Sequence, residues 1–543
     1  MKYIFLLISL FTFNFLQAQV TGVVKDAAGE PIPGANVFWM NTTNGVTTNE
    51  DGNFSIHKPA RSHMLVVSFI GFENDTIHVD KGNQQLDIVL REGVELSEVN
   101  VVTRKLGTMK LRTSVMNEDM ISSAELTRAA CCNLGESFVT NPSVDVSYSD
   151  AATGAKQIKL LGLSGTYVQM MTENIPNFRG AAAPYGLGYV PGPWMQSIQV
   201  SKGSSSVKNG YESITGQINV EFKKPQLPEA DWVSANLFAS STNRYEANAD
   251  ATVKLSKRWS TSLLAHYENE TKSHDSNDDG FVDIPRVEQY NVWNRWAYMG
   301  DHYVFQAGIK ALHETRNSGQ IAHGNTPSHD LYEIGIKTNR YEAFTKNAYI
   351  FDKEKNTNLA LILQGTLHNQ DANYGRKLYD VDQSNFYASL LFETELSKQH
   401  SLSAGLSFNY DGYDQNYRLT NQAEEGLTKK FVKESVPGAY VQYTFNLNDQ
   451  LMLMGGIRGD YSSEYGFFVT PRAHVKYNPN EYLHFRVSAG KGYRTNHVLA
   501  ENNYLLASSR KMKIASHLDQ EEAWNYGASV STYIPLFGKT LNV

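Results

Sequence analysis

Ser401-Leu402-Ser403-Ala404-Gly405-Leu406-Ser407-Phe408-Asn409-Tyr410-Asp411 places Leu402, Ala404, Leu406, Phe408 and Tyr410 on one side of an extended chain and Ser403, Gly405, Ser407 and Asn409 on the other. A period of two is the signature of a β-strand, whose successive side chains point to opposite faces. Tyr303, Phe305, Ala307, Ile309 and Ala311 alternate in the same way with Val304, Gln306, Gly308 and Lys310. Val441/Tyr443/Phe445/Leu447, Ala473/Val475/Tyr477 and Trp524/Tyr526/Ala528/Val530 repeat the pattern, so the chain from about Asp231 onward is read as mainly β. Periodicity alone leaves two readings open, a water-soluble sandwich and an antiparallel transmembrane barrel.

The chain's start, the number of such segments and their Tyr-rich ends favour the barrel. Met1-Lys2 is followed by an apolar run from Tyr3 to Phe15, and Leu16-Gln17-Ala18-Gln19 supplies a small residue at a cleavage point, the pattern of a signal peptide over 1–19. The competing reading, an uncleaved anchor, needs a longer apolar run than this. The mean hydropathy is −0.40, which a barrel tolerates because only every second strand residue faces lipid. Its 30 Tyr and 25 Phe suit interfacial girdles at the strand ends. A net charge of −7 over 543 residues leaves no basic stripe for nucleic acid.

Between the leader and the alternating region lie two further zones. Residues 20–92 string short β-like runs between turns, among them Gly22-Val23-Val24-Lys25-Asp26, Asn53-Phe54-Ser55-Ile56 and Leu65-Val66-Val67-Ser68-Phe69, which predicts a small Ig-like β-sandwich. This zone resembles the carboxypeptidase regulatory-like domain that precedes many receptors in the Bacteroidetes. Residues 104–225 are richer in Gly, Ser and Asn, mix short strands with one helix-like stretch, Ser122 to Leu134, and are read as an α/β unit. They end in Ser201-Lys202-Gly203-Ser204-Ser205-Ser206-Val207-Lys208-Asn209-Gly210-Tyr211-Glu212-Ser213-Ile214-Thr215-Gly216-Gln217-Ile218-Asn219-Val220-Glu221-Phe222. That ending resembles the close of a TonB-dependent receptor plug, where a Gly/Ser turn and a "G-x-I-N-V" strand lead into the barrel. The chain departs from the family twice: Leu161-Gly162-Leu163-Ser164-Gly165 stands where many plugs carry "I-R-G", and Thr172-Glu173-Asn174-Ile175-Pro176 where they carry "I-D-G-V-P".

The resemblance implies an outer-membrane receptor with its N-terminal domain in the periplasm. It would import a scarce nutrient, a metal chelate or metal ion, with energy from the TonB complex, and its partners would be outer-membrane lipids and a surface lipoprotein. The alternative is a non-transporting surface or adhesion protein. Residues 93–103 occupy the place of the family's coupling box, and Glu98, Val99, Asn100, Val101 and Val102 would offer an extended backbone for strand addition, against the plainer reading of a linker strand. The barrel would span 226–543. About fourteen strand-like segments are legible there, against about 22 in plugged transporters, so the barrel is expected to be C-terminally incomplete.

Ligand candidates lie where Gly and Pro are dense: Met170, Met171, Glu173, Arg179, Tyr185, Tyr189, Trp194 and Met195. Packing of the same side chains between plug and wall is the competing reading. Asp275-Ser276-Asn277-Asp278-Asp279-Gly280-Phe281-Val282-Asp283 reproduces the first half of an EF-hand loop, but its twelfth position is Arg286. A calcium site using Asp275, Asn277, Asp279 and Asp283 therefore stands against a bare Asp/Asn turn; no cofactor is required. Cys131 and Cys132 are the two cysteines. Adjacent Cα atoms sit about 3.8 Å apart, short of the usual disulfide span of about 4.4–6.8 Å. They are read as buried thiols or, with Met170, Met171 or Met195, as a soft-metal site favouring Cu(I). No H-E-x-x-H or G-x-S-x-G occurs, and Gly203 to Lys208 lacks the G-K-[ST] of a phosphate loop, so the chain is not read as an enzyme.

Overall fold

The computed structural model describes residues 19–26, 29–39, 45–49, 51–58, 63–69, 75–79, 85–90, 108–111, 114–129, 132–139, 141–225, 232–321, 331–422, 426–448, 450–480, 482–515, 517–536 and 539–542. The leader residues 1–18, the coupling segment and Cys131 lie outside these. Two compact units divide the chain at Lys105.

In the first unit, a three-stranded sheet and a four-stranded sheet enclose one core. Gln19–Lys25 shows why: Val20, Gly22 and Val24 are buried while Gln19 and Thr21 are exposed. Val37, Trp39, Leu65 and Val67 face them from the second sheet. Gln19–Lys25 pairs antiparallel with Asn53–His57 but parallel with Gln85–Val89. The β-sandwich expected from the sequence is present.

The second unit holds a plug inside a curved sheet. The plug's six-stranded sheet runs, edge to edge, Ile175–Pro176, Val168–Thr172, Gly216–Phe222, Met195–Lys202, Glu118–Ser122 and Thr108–Lys110, with one parallel pair, Val168–Thr172 beside Gly216–Phe222. Gly216–Phe222 is buried along its whole length. Ile218, Val220 and Phe222 enter the plug core, while Gln217 and Asn219 are met by Asn209 (3.0 Å) and Glu221 (2.7 Å). The helix-like stretch is shorter than its sequence suggested. The α-helix covers only Ser123–Arg128, because Asn133 takes an extended conformation, bridges to Pro191 and starts a separate 3-10 turn, Leu134–Phe138, by accepting from the Glu136 amide.

The wall is a fifteen-stranded antiparallel sheet in which every strand pairs with its neighbours in sequence, from Trp232–Ala239 to Lys539–Asn542. About fourteen strands were expected: Trp232–Ala239 to Glu521–Leu536 are fourteen, and the short Lys539–Asn542 turns back onto the last of them. Among the described residues the first and last strands do not pair with each other. Burial is inverted relative to a soluble sandwich. On Arg244–Lys254 the buried residues are Glu246, Asn248, Asp250 and Thr252, while Tyr245 and Val253 face out. Leu406, Val441, Tyr526 and Val530 are likewise exposed. Polar inside and apolar outside is the pattern of a membrane barrel with a hydrated lumen, which decides between the two readings of the alternation. The longest strand, Lys377–Ser397, has 21 residues; at roughly 3.4 Å per residue it extends well past a hydrocarbon core of about 30 Å.

Connections at one end are tight, such as 300–302, 353–356 and 398–399, whereas the longer 271–285 and the described part of 495–520 emerge at the other. Longer loops mark the outer face of such barrels.

Candidate ligand seat at the plug apex

Two short stretches of the plug are held in backbone conformations that most side chains avoid, a hairpin turn at the wall and the apex around Arg179. Thr172 pairs with Ile175 across a two-residue hairpin turn, and both turn residues, Glu173 (φ 52°) and Asn174 (φ 62°), are left-handed. Tight hairpins require positive φ here, usually from Asn or Gly. Glu173 is the costly choice, by about 1–2 kcal/mol, and it is held by Arg295 at 2.5 Å from the wall. Phe178 (φ 54°) and Gly180 (φ 58°) follow, flanking Arg179.

Arg179 bridges plug and wall, 2.6 Å from Glu212 of the plug and 2.9 Å from Asp411 of the wall. Burial pushes the Glu212 carboxyl above its ordinary range, Arg179 pulling the other way. Gln383 clamps the next turn, accepting from the Ala181 amide at 2.9 Å and donating to the Arg179 carbonyl at 3.2 Å. A Cβ on Gly180 would strike the Tyr413 hydroxyl and lie 2.9 Å from the Gln383 amide oxygen. Gly180→Ala is therefore expected to displace the apex, weakening ligand binding at least tenfold while the barrel still inserts; binding assays on purified variant check this.

The connection 495–520 folds back over the apex. Its helix Val498–Asn502 and the 3-10 turn Asn503–Ala507 bury Leu499, Ala500 and Leu506. The Asn503 side-chain oxygen accepts from Tyr374 at 3.0 Å, and Tyr332 donates to the Ala507 carbonyl at 2.8 Å. Lys377 donates to the carbonyls of Leu506 (3.2 Å), Ser508 (2.5 Å) and Arg510 (3.2 Å). Lys377→Met is expected to free this connection and speed its proteolytic nicking several-fold in intact cells, read by the appearance of a clipped band.

Beneath the connection is a cavity of about 120 Å³ whose lining includes Met170, Phe178, Arg179, Glu212, Arg494 and His497. Arg494 pairs with Glu501 and, at 2.8 Å, with Glu521. His497 lies on the Tyr413 ring with centroids 4.4 Å apart. Burial, with Arg179 and Arg494 nearby, pushes its pKa down to about 4 against the pull of Asp411, so the imidazole is neutral.

Elsewhere the wall holds the plug by polar contacts that reach its backbone. Arg472 donates to the carbonyls of Ser205 (3.3 Å), Ser206 (3.0 Å) and Tyr211 (3.1 Å). Asn291 (3.0 Å) and Lys310 (3.3 Å) reach the Tyr189 carbonyl, and Lys346 the Glu173 carbonyl (2.7 Å).

Of the eight ligand candidates, Met170 and Arg179 line the apical cavity. Met171, Trp194 and Met195 are buried in the plug core, Val168–Thr172 being an inner strand and not a loop. Tyr189 is buried against the wall, and Trp194 packs on Trp293 at 6.3 Å. Tyr185 is also buried and lines a separate cavity, under the Arg316 guanidinium at 5.0 Å. For these residues packing is what the structure shows. Glu173 lies at a wall ion pair. Glu212, Asp411, Arg494, His497 and Glu501 were missed: Glu212, Asp411 and the Arg494–Glu501 stretch lie far apart in the chain, and only the break in alternation after Arg494 hinted at a re-entrant segment.

Cys132 is buried, and the cavity it shares with Glu136, Arg244 and Glu268 has no methionine in its lining, so the thioether groups named with it are not brought there. In the acidic loop, Asp275 accepts from the amides of Asp279 (3.1 Å) and Gly280 (2.9 Å), Asp279 from Phe281 (2.9 Å), and Asp283 from Ser276 (2.7 Å). Among the described residues no three His, Cys, Asp or Glu side chains converge as metal ligands.

A polar-lined β-wall around a folded plug, with an apical cavity roofed by an outer connection, defines the class of plugged outer-membrane receptors. Comparison with known proteins agrees. Residues 20–102 match a CarboxypepD_reg-like domain, 110–217 the TonB-dependent receptor plug domain and 317–543 the TonB-dependent receptor-like β-barrel. The chain belongs to the TonB-dependent receptor family, outer-membrane proteins that are receptors and not enzymes. The TonB-dependent receptor SusC of Bacteroides thetaiotaomicron is 28% identical over 245 residues, 42% of this chain and 24% of that protein. TonB-dependent receptor P39 of Formosa agariphila is 39% identical over 100 residues, 18% of this chain and 10% of its own. The matched stretches thus span a quarter or less of these relatives. Among solved structures, the siderophore receptor PirA from Acinetobacter baumannii superposes with a TM-score of 0.61 at 14% identity, covering 76% of this chain and 68% of its own. FpvA of Pseudomonas aeruginosa, bound to pyoverdines, gives 0.62 at 14% identity, covering 83% and 66%. At that identity the likeness is one of fold.

Proposed function

We propose that this chain is an import receptor: a nutrient settles on the plug apex beneath the connection 495–520, and the TonB complex, pulling on the segment around Val99, moves the plug to admit it. The observation that carries this reading is the plug's attachment. The wall grips it through hydrogen bonds and ion pairs such as Arg179–Asp411 and Arg472 on the Ser205–Tyr211 carbonyls, and polar contacts can exchange one partner for water as the plug shifts. A ferric chelate, the commoner cargo of the family, and copper are the candidates carried forward from the sequence; a surface lipoprotein would assist capture. The test is growth and uptake by a deletion strain, with and without this gene, on iron, copper, haem, cobalamin and glycan sources, repeated with a protonophore. Gene-dependent uptake that collapses with the proton-motive force supports import. Binding that is indifferent to the protonophore, with no internalised nutrient, would leave a surface-binding protein instead.

A further inference from the structure

We propose that the cavity beneath the connection 495–520 takes a neutral ligand presenting hydroxyl or amide hydrogen-bond donors, read by Gln169 and His497; this deepens the import reading and rests on it.

The charged side chains around the cavity are largely matched before any ligand arrives. Arg179 faces Glu212 and Asp411, and Arg494 faces Glu501 and Glu521. The remaining cation, Lys156, sits over the Tyr148 ring at 5.2 Å. With two arginines already set against four carboxylates, an anionic chelate finds no surplus positive charge, and burying it would leave its desolvation uncompensated.

What the cavity leaves unmet is neutral. Gln169 is 4% exposed and lines it. Its Nε2 donates to the Asn209 carbonyl at 2.7 Å. A carbonyl can only accept, so this bond settles which way the amide points. The Oε1 is left as a buried acceptor that no protein group meets. The Nε2 of His497 is also buried and unmet, on a ring tilted over Tyr413, and accepts in the tautomer that carries its proton on Nδ1. A buried acceptor without a donor is costly, and a ligand that supplies the donor recovers that cost as affinity. Hydroxyls and amide N–H groups do so without bringing charge. The cavity's 120 Å³ is smaller than a typical whole-ligand pocket of about 300–1,000 Å³, so it would read one ring or side group of a larger solute.

The test is calorimetry on the purified full chain in detergent with three probes: a mixed neutral oligosaccharide fraction for hydroxyl donors, cyanocobalamin for amide donors, and ferric citrate as the anionic chelate. At least one neutral probe is expected to bind and ferric citrate not to compete; which neutral probe binds identifies the donor type. Gln169→Leu and His497→Phe should each weaken that binding about threefold to tenfold with the unfolding midpoint unchanged. Should Gln169→Leu fail to fold, His497→Phe, which keeps a ring on Tyr413, carries the test alone. Binding of ferric citrate in preference to both neutral probes, no binding by either neutral probe, or wild-type affinity in a folded variant overturns the proposal. Energy-dependent uptake of an anionic chelate would remove this inference and leave import standing. Loss of energy dependence for every nutrient would remove import instead.

Discussion

Replacing Val99 or Val101 with proline is expected to abolish uptake while leaving the amount of receptor in the outer membrane unchanged. An extended coupling segment would work by strand addition, lending backbone N–H and C=O groups to a partner's sheet edge. Proline removes one donor and restricts φ, so it damages that pairing more than any side-chain exchange at the same position. The segment Leu96–Thr103 lies outside the described residues, and its assignment rests on its place between the β-sandwich and the plug. Uptake of whichever nutrient supports growth, set beside receptor abundance in isolated membranes, is the measurement. Normal transport by both variants would take the coupling role away from this segment.

Arg295→Met is expected to loosen the plug. Arg295 is fully buried, donates to Glu173 at 2.5 Å and to the Lys223 carbonyl at 2.8 Å, and lies 4.5 Å from the Trp293 ring centre. Removing it leaves the Glu173 carboxylate buried beside Lys346, 3.7 Å away. Breaking a buried pair by deleting one partner costs about 3–5 kcal/mol, and Lys346 should hold the loss near the lower figure. The left-handed turn at Glu173-Asn174 would lose its anchor as well. Faster protease cleavage within the plug, together with entry of a large antibiotic that the outer membrane normally excludes, would report the change. Arg295→Met combined with Glu173→Gln should recover most of the protection, because no carboxylate is then buried without its arginine, and Lys346, partly exposed, keeps its bond to the residue 173 carbonyl. Full plug protection in the single variant would show that the pair does not hold the plug in place.

The period-two alternation in Ser401–Asp411 and its counterparts, with the leader-like start, pointed to the barrel, the short runs in residues 20–92 to the β-sandwich, and the resemblance of the Gly216–Phe222 ending to a receptor plug supplied the third part. Those features are local: a strand's two faces, a signal peptide and a turn's glycines are all written within a few neighbouring residues. Which face of the wall met lipid was decided by the tertiary structure, because alternation is symmetric until something occupies one side. The plug does so, and Glu246, Asn248 and Asp250 turn inward to it while Tyr245 and Val253 turn out. The ligand seat was out of reach for the same reason. Gln169, Arg179, Glu212, Asp411 and His497 come from the plug, a wall strand and an outer connection, and no spacing along the chain relates them. Met171, Trp194 and Met195 carried the composition of a binding surface, yet the sheet order of the plug placed them in its core. Side-chain chemistry was legible residue by residue, but burial and partnership depend on what the rest of the chain brings alongside.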